Sequence, residues 1–102
     1  DMVLSSGFNV YPREVDELMY THPKVLQACA FGVPDEKRGE ALKLAVVLKP
    51  GQQMTALEVR DFCKSNLSGY KVPTDVVFMN ELPVTPIGKP DRKKMREMAL
   101  ER

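Results

Sequence analysis

"VLQACAFGVPDEKRGEALKLAVVLK", residues 25–49, decides the fold. Leu26, Ala28 and Ala30 alternate with Val25, Cys29 and Phe31, with Gln27 among them, which predicts a largely buried strand over 25–33. A polar turn, "PDEKRGE", gives way to "ALKLAVVLK", where Leu42, Leu44, Val46 and Leu48 share one face at period two. Lys43 and Lys49 mark the wetter side of this second strand. Two such runs joined by a short turn predict an antiparallel pair.

Working outward, the Ser5-Ser6-Gly7 turn precedes a stretch in which Pro12 suits a first helical residue and Glu14 its first turn. Val15, Leu18 and Met19 follow at helical spacing, and Pro23 stops the segment. Downstream, "PGQQ" breaks the chain. Thr55 with Glu58 three residues on predicts a capping box for a helix carrying Val59, Phe62, Cys63 and Leu67, ended by Gly69. "VVFM" (76–79) reads as a short third strand, and Asp91 can cap a last helix with Met95, Met98 and Ala99 inward. The order β-α-β-β-α-β-α defines an α+β domain: a small, mostly antiparallel sheet with about three packed helices. No repeat or low-complexity linker divides residues 1–102, so one domain is expected, with the six methionines as core fillers.

A chain of 102 residues buries about two-thirds of its unfolded surface, which leaves little room for a large enclosed pocket. The formal charge of +1 excludes a general electrostatic pull toward nucleic acid or anionic membrane, so any anion site must be local. Cys29 and Cys63 lie in apolar runs without CxxC or zinc spacing, and read as buried free thiols of a reducing compartment. No apolar run reaches the length of a membrane span, and cytoplasmic location is the default expectation. The opening "DMVLSSGFNV" carries no initiator Met and reads as the middle of a longer protein.

The groups able to carry chemistry are few. Lys89 stands in "TPIGKPDRKK" (85–94), where Pro86 and Pro90 restrict the backbone and Gly88 lets it turn, so a cation is displayed on a stiff loop. Such a charge suits a phosphate or carboxylate oxygen on which negative charge shifts during reaction. By spacing alone a solvated loop lysine fits better. Ser6 and Gly7 form a turn that tolerates close approach of a ligand, though from the residues alone an ordinary turn fits better. In "GYKVP" (69–73), Lys71 lies in an extended pre-proline loop beside Tyr70, either as a phosphate contact or as an incidental loop residue.

His22 has no partner at a diagnostic spacing. Asp16, Glu17, Asp35, Glu36 and Glu40 are read as solvated faces beside basic neighbours, and no metal-ligand set is visible. The basic run Arg92, Lys93, Lys94 and Arg96 lacks interleaved aromatics and is balanced by Glu97 and Glu101, so it reads as a soluble helix end and not as a nucleic-acid surface.

Taken together and in order, "DMVLSSGFNVYPREVDEL", "GVPDEKRGEALKLAVVL" and "SGYKVPTDVVFMNELPVTPIGKPDRKKMRE" resemble the small C-terminal domain of the adenylate-forming superfamily. That superfamily holds acyl-CoA synthetases, luciferases and peptide-synthetase adenylation domains, and the "SGFNVYP" wording is most like fatty-acyl-CoA synthetases. The resemblance implies a ligase using ATP, CoA and Mg2+ that joins a fatty acid to CoA in two half-reactions through an acyl-adenylate. Its own N-terminal domain would be the partner, holding ATP, magnesium and the acyl chain, while the small domain rotates between steps. Lys89 falls on the family's adenylation lysine. Ser6, Gly7 and Phe8 fall on the turn lining the pantetheine tunnel, and Tyr70 and Lys71 on a loop that meets the CoA nucleotide in some relatives. Val72 and Thr74 stand where some relatives carry Arg or Lys, and Arg38 where an aromatic can meet CoA. The hinge would lie at or just before Asp1.

The resemblance further implies that this piece alone is inactive. Peripheral membrane contact stays open without any membrane-spanning segment. Two other readings remain: the same domain from an aryl or short-chain acid–CoA ligase, and a free-standing interaction module that keeps the fold.

Overall fold

The structure, a computed structural model, describes residues 2–100; Asp1 and Glu101 lie outside them. The chain runs through β1 (Val3–Ser5), β2 (Phe8–Val10), α1 (Pro12–Met19), β3 (Val25–Asp35), β4 (Gly39–Leu48), α2 (Ala56–Asn66), a 3-10 turn (Gly69–Lys71), β5 (Asp75–Phe78) and α3 (Arg92–Leu100). The α+β class holds. Where one strand is expected before the first helix, there is a tight hairpin, β1–β2, closed by Ser6 and Gly7, which both take positive φ, at 53° and 82°. That pair of left-handed residues is the requirement of a two-residue hairpin turn.

The β3–β4 hairpin is the spine, paired from Val25↔Leu48 to Asp35↔Gly39. Strand order is β2-β1-β4-β3, with β1 meeting β4 at Ser5↔Gly39 and β5 lying parallel to β4 from Lys43↔Asp75 to Val46↔Phe78. The parallel strand is reached through the crossover helix α2, as a parallel neighbour requires.

Both faces of the spine are covered. Leu42, Leu44 and Val46 pack with Val15 and Met19 of α1 and Val59 and Cys63 of α2. On the other face Ala41, Ala45 and Val47 pack with Phe31, Leu82 and Met95. The side marked by Lys43 and Lys49 is therefore not a wet face: α3 and the segment before it close over it, leaving Lys43 half-buried beside Asp75 at 3.6 Å and Lys49 exposed just past the strand. The facing of β3 also differs from simple alternation. A register shift between Val25 and Gln27 turns Val25 into the core with Ala28 and Ala30 and leaves Leu26 half exposed. An extra residue in one strand inverts the side-chain alternation beyond it.

The helices begin for the expected reasons. Thr55 Oγ1 accepts from Glu58 N–H at 3.1 Å and Glu58 Oε1 accepts from Thr55 N–H at 2.9 Å, a complete capping box. Asp91 Oδ1 accepts from Lys94 N–H at 3.0 Å and starts α3. Pro12 opens α1 at its first turn.

Candidate functional site

The stiff loop around Lys89 is a miniature hairpin. Val84 and Pro90 form a β-bridge, and Thr85 and Lys89 close it, with Thr85 N–H donating to Lys89 C=O at 2.7 Å. Gly88 N–H donates to Thr85 C=O at 2.8 Å, and Lys89 N–H donates to Thr85 Oγ1 at 3.3 Å. Pro86 occupies the second turn position and Gly88, at φ 84°, the left-handed position that follows, a sequence built for this turn. Ile87 at the tip is 78% exposed and Lys89 is exposed beside it. Behind the turn, Asp91 N–H donates to Pro83 C=O at 2.8 Å.

Lys89 and Pro90 form one wall of an open depression of about 610 Å³, whose other walls are Arg13, Asp16, Glu17 and Tyr20 of α1, Ala28 of β3 and Arg92 of α3. Two of these correct the sequence-based expectation. Asp16, read as part of a solvated face, is only 9% exposed. Its Oδ1 accepts from Ala30 N–H at 2.6 Å and its Oδ2 lies 2.9 Å from Arg92 Nη1, which also donates to Ala30 C=O. Burial pushes the Asp16 carboxyl above its ordinary range, while the Ala30 N–H and the Arg92 guanidinium pull it down. Arg92, read as part of a soluble helix end, is thus half-buried and turned inward. Helical spacing does not distinguish an inward from an outward arginine on a short helix, so nothing in the sequence flagged either partner.

Ser6, Phe8 and Tyr70 come together in a different place, a pocket of about 310 Å³. Phe8 and Tyr70 stack with ring centroids 4.6 Å apart, and Ser6 N–H donates to Arg38 C=O at 2.9 Å, tying the β1–β2 turn to the β3–β4 turn. Gly7 sits at the tip of its turn with open space where a Cβ would be. None of these residues lines the Lys89 depression.

Lys71 departs from expectation in two ways. Gly69–Lys71 is a turn of 3-10 helix, not an extended loop, because Pro73 restricts only Val72 directly before it. The Lys71 ammonium donates to Glu14 Oε1 at 2.9 Å and lies 5.7 Å from the Tyr70 ring centroid, and the Glu14 hydrogen bond raises its pKa. The cations lining the pocket are instead Arg38, Arg60 and Lys64. Arg60 and Lys64 were missed, although their i, i+4 spacing on a capped helix places them on one face and signals the patch.

Among the described residues no group of three His, Cys, Asp or Glu side chains could hold a metal ion. His22 is structural: its Nδ1 accepts from Lys24 N–H at 3.1 Å and its ring meets Phe62 edge-on. Among the described residues no helix is long and apolar enough to cross a membrane.

The exposed lysine hairpin beside one depression and the aromatic pocket rimmed by cations share no lining residue, so the domain carries two separate candidate sites. Residues 14–89 match the family described as the AMP-binding enzyme C-terminal domain, and this chain belongs to that family. It is 46% identical over 97 residues, 95% of its length, to a long-chain-fatty-acid–CoA ligase of Yersinia pestis. It is 39% identical over 97 residues, again 95% of its length, to a mitochondrial medium-chain acyl-CoA ligase of Danio rerio. The crystal structure of a Brucella canis acyl-CoA synthetase superposes with a TM-score of 0.92 at 38% identity, covering 99% of this chain. The chain spans 17%, 16% and 19% of these three proteins.

Proposed function

We propose that residues 1–102 are the mobile C-terminal domain of an AMP-forming fatty-acyl-CoA ligase, working with an N-terminal domain that binds ATP, Mg2+ and the fatty acid. The observation that carries this is the separation of the two surfaces. Lys89 stands on its own hydrogen-bonded hairpin beside one depression, while Ser6, Phe8 and Tyr70 line another pocket with Arg38, Arg60 and Lys64. A domain that turns between two reaction steps needs two such faces.

In the adenylation step, Lys89 brings a fixed positive charge to the phosphate and carboxylate oxygens as the acyl-adenylate forms and pyrophosphate leaves. The hairpin holds the lysine on a turn whose own backbone is hydrogen-bonded, so its local shape is set before the reaction. In the thioester step, the Ser6-Gly7 turn, with open space at the Gly7 tip, borders the path of the CoA arm. The stacked Phe8 and Tyr70 rings offer an apolar wall, and Arg38, Arg60 and Lys64 offer charge to the CoA phosphates. The Gly69–Lys71 turn supports the Tyr70 side of that wall. Two buried free thiols suit a reducing, cytoplasmic setting.

The test separates the half-reactions in the full-length protein that carries this domain. Lys89→Ala is expected to lower acid-dependent pyrophosphate release by about 100-fold or more, on the scale of losing one charge-stabilising donor. It should leave thioester formation from supplied acyl-adenylate within about twofold. Equal losses in both steps would remove the division of labour. A panel of acids of different chain length fixes the substrate class, since both long-chain and medium-chain ligases are relatives.

A further inference from the structure

β3 is an edge strand: it pairs with β4 on one side only. At Ala30 the free edge is nonetheless satisfied. Asp16 accepts the Ala30 N–H at 2.6 Å, Arg92 donates to the Ala30 C=O, and the two side chains meet each other at 2.9 Å. Carboxylate and guanidinium together stand where the next strand's C=O and N–H would be. The ring they close joins α1, β3 and α3 at one backbone residue, and its members are largely shielded from water, with side-chain exposures of 12% for Asp16 and 21% for Arg92. A charge pair shielded in this way holds a fixed geometry that an exposed pair does not.

Arg92 is the first residue of α3 and lies three residues after Lys89. The intervening Asp91 is held at both ends, donating to Pro83 C=O and capping Lys94 N–H. The hairpin itself is exposed, and the hydrogen bonds of Thr85, Gly88, Lys89 and Asp91 that shape it run within residues 83–91, so these bonds fix its shape without fixing where it stands on the sheet. We infer that the Asp16–Arg92 pair on Ala30 is the anchor that sets the height and direction of the Lys89 hairpin over its depression, making both of them positioning residues for the adenylation step. This rests on the proposed role of Lys89.

The pair acts through Lys89, so its effect should vanish when Lys89 is gone. In the full-length protein, Arg92→Gln is expected to lower the adenylation rate by about 10- to 100-fold, the scale of a displacement of about 1 Å at a reacting group. Thioester formation from supplied acyl-adenylate should stay within about twofold. In the Lys89→Ala background, Arg92→Gln should cost adenylation less than about twofold further, because a positioner has nothing left to position. Asp16→Asn keeps an acceptor for Ala30 N–H and loses the charge facing Arg92, so it should give a smaller loss of the same kind and serves if Arg92→Gln fails to fold. Amide hydrogen exchange supplies a readout independent of turnover: Ala30, whose N–H the pair holds, should exchange about tenfold faster in Arg92→Gln, with Thr85, Asp91 and the β3–β4 ladder amides unchanged.

A full additional loss in the Lys89→Ala background, losses of equal size in both half-reactions, or unchanged exchange at Ala30 would each overturn the anchor while leaving the Lys89 reading intact. Unimpaired adenylation by Lys89→Ala alone would overturn both.

Discussion

Phe8 and Tyr70 stack face to face at 4.6 Å with planes 20° apart, joining the β1–β2 hairpin to the turn after α2 across 62 residues of sequence. Both rings are half exposed, so the stack adds only about 0.5 kcal/mol beyond its buried area. Its larger consequence is geometric, because it fixes one wall of the pocket rimmed by Arg38, Arg60 and Lys64. Phe8→Ala is expected to raise the KM for CoA several-fold, about three- to tenfold, with adenylation unchanged. Steady-state kinetics on the full-length protein with CoA varied checks this, and an unaltered KM would take the stack out of the pocket's function.

Gly32 cannot carry a side chain. A Cβ there would lie 2.7 Å from Val3 Cγ2 and 3.0 Å from Glu40 Oε2. Val3 is buried and β-branched, so it cannot swing aside, and Glu40 Oε1 is engaged by Leu4 N–H at 3.0 Å. Gly32→Ala should therefore destabilise the domain by about 1–3 kcal/mol through overpacking between β3 and β1, visible as a lower urea midpoint with the same slope.

The capping box of α2 carries a pH signature. The Thr55 N–H and hydroxyl hold the Glu58 carboxyl below its ordinary range, and the Lys37 and Arg38 N–H groups do the same for Asp35. A depressed folded pKa means stabilisation present above the unfolded value and lost as pH falls through the folded one. Asp16 has the opposite sign, since burial raises it. Thr55→Ala should cost about 1 kcal/mol at neutral pH. Glu58→Gln should flatten the decline in melting temperature between about pH 5 and pH 3 relative to the parent chain. A parallel decline in both proteins would show that Glu58 titrates alike in the folded and unfolded states.

Cys29 and Cys63 are buried, and burial pushes both thiols up to about 11. At pH 8 only about one molecule in a thousand would present a thiolate at either site. A disulfide reagent such as DTNB should therefore leave the folded chain unlabelled over minutes and titrate two thiols once urea unfolds it. Immediate labelling of the native chain would contradict the packing.

Most elements were legible because each rests on near neighbours in sequence; the β1–β2 hairpin and the Gly69–Lys71 turn were not. The capping box needs Thr55 and Glu58 three apart, the Lys89 turn needs Pro86 and Gly88 in place, and the β3–β4 pair needs period-two apolar runs around a polar turn. Backbone sterics and local hydrogen bonds act over that range, so the residue order alone determines them.

What the sequence left undecided is which side chains turn inward and what they meet. The extra residue near Leu26 reverses part of β3 relative to simple alternation, the second face of the sheet is dry because α3 closes over it, and Lys71 faces Glu14 instead of the pocket. Asp16 and Arg92 show the limit best. They are 76 positions apart and ordinary in composition, and meet only because α1 and α3 pack at the free edge of β3, where one N–H and one C=O of Ala30 need partners. Local propensity reaches only a few residues, whereas the demand of a buried backbone for hydrogen bonds is met by whatever the tertiary packing brings within 3 Å or so.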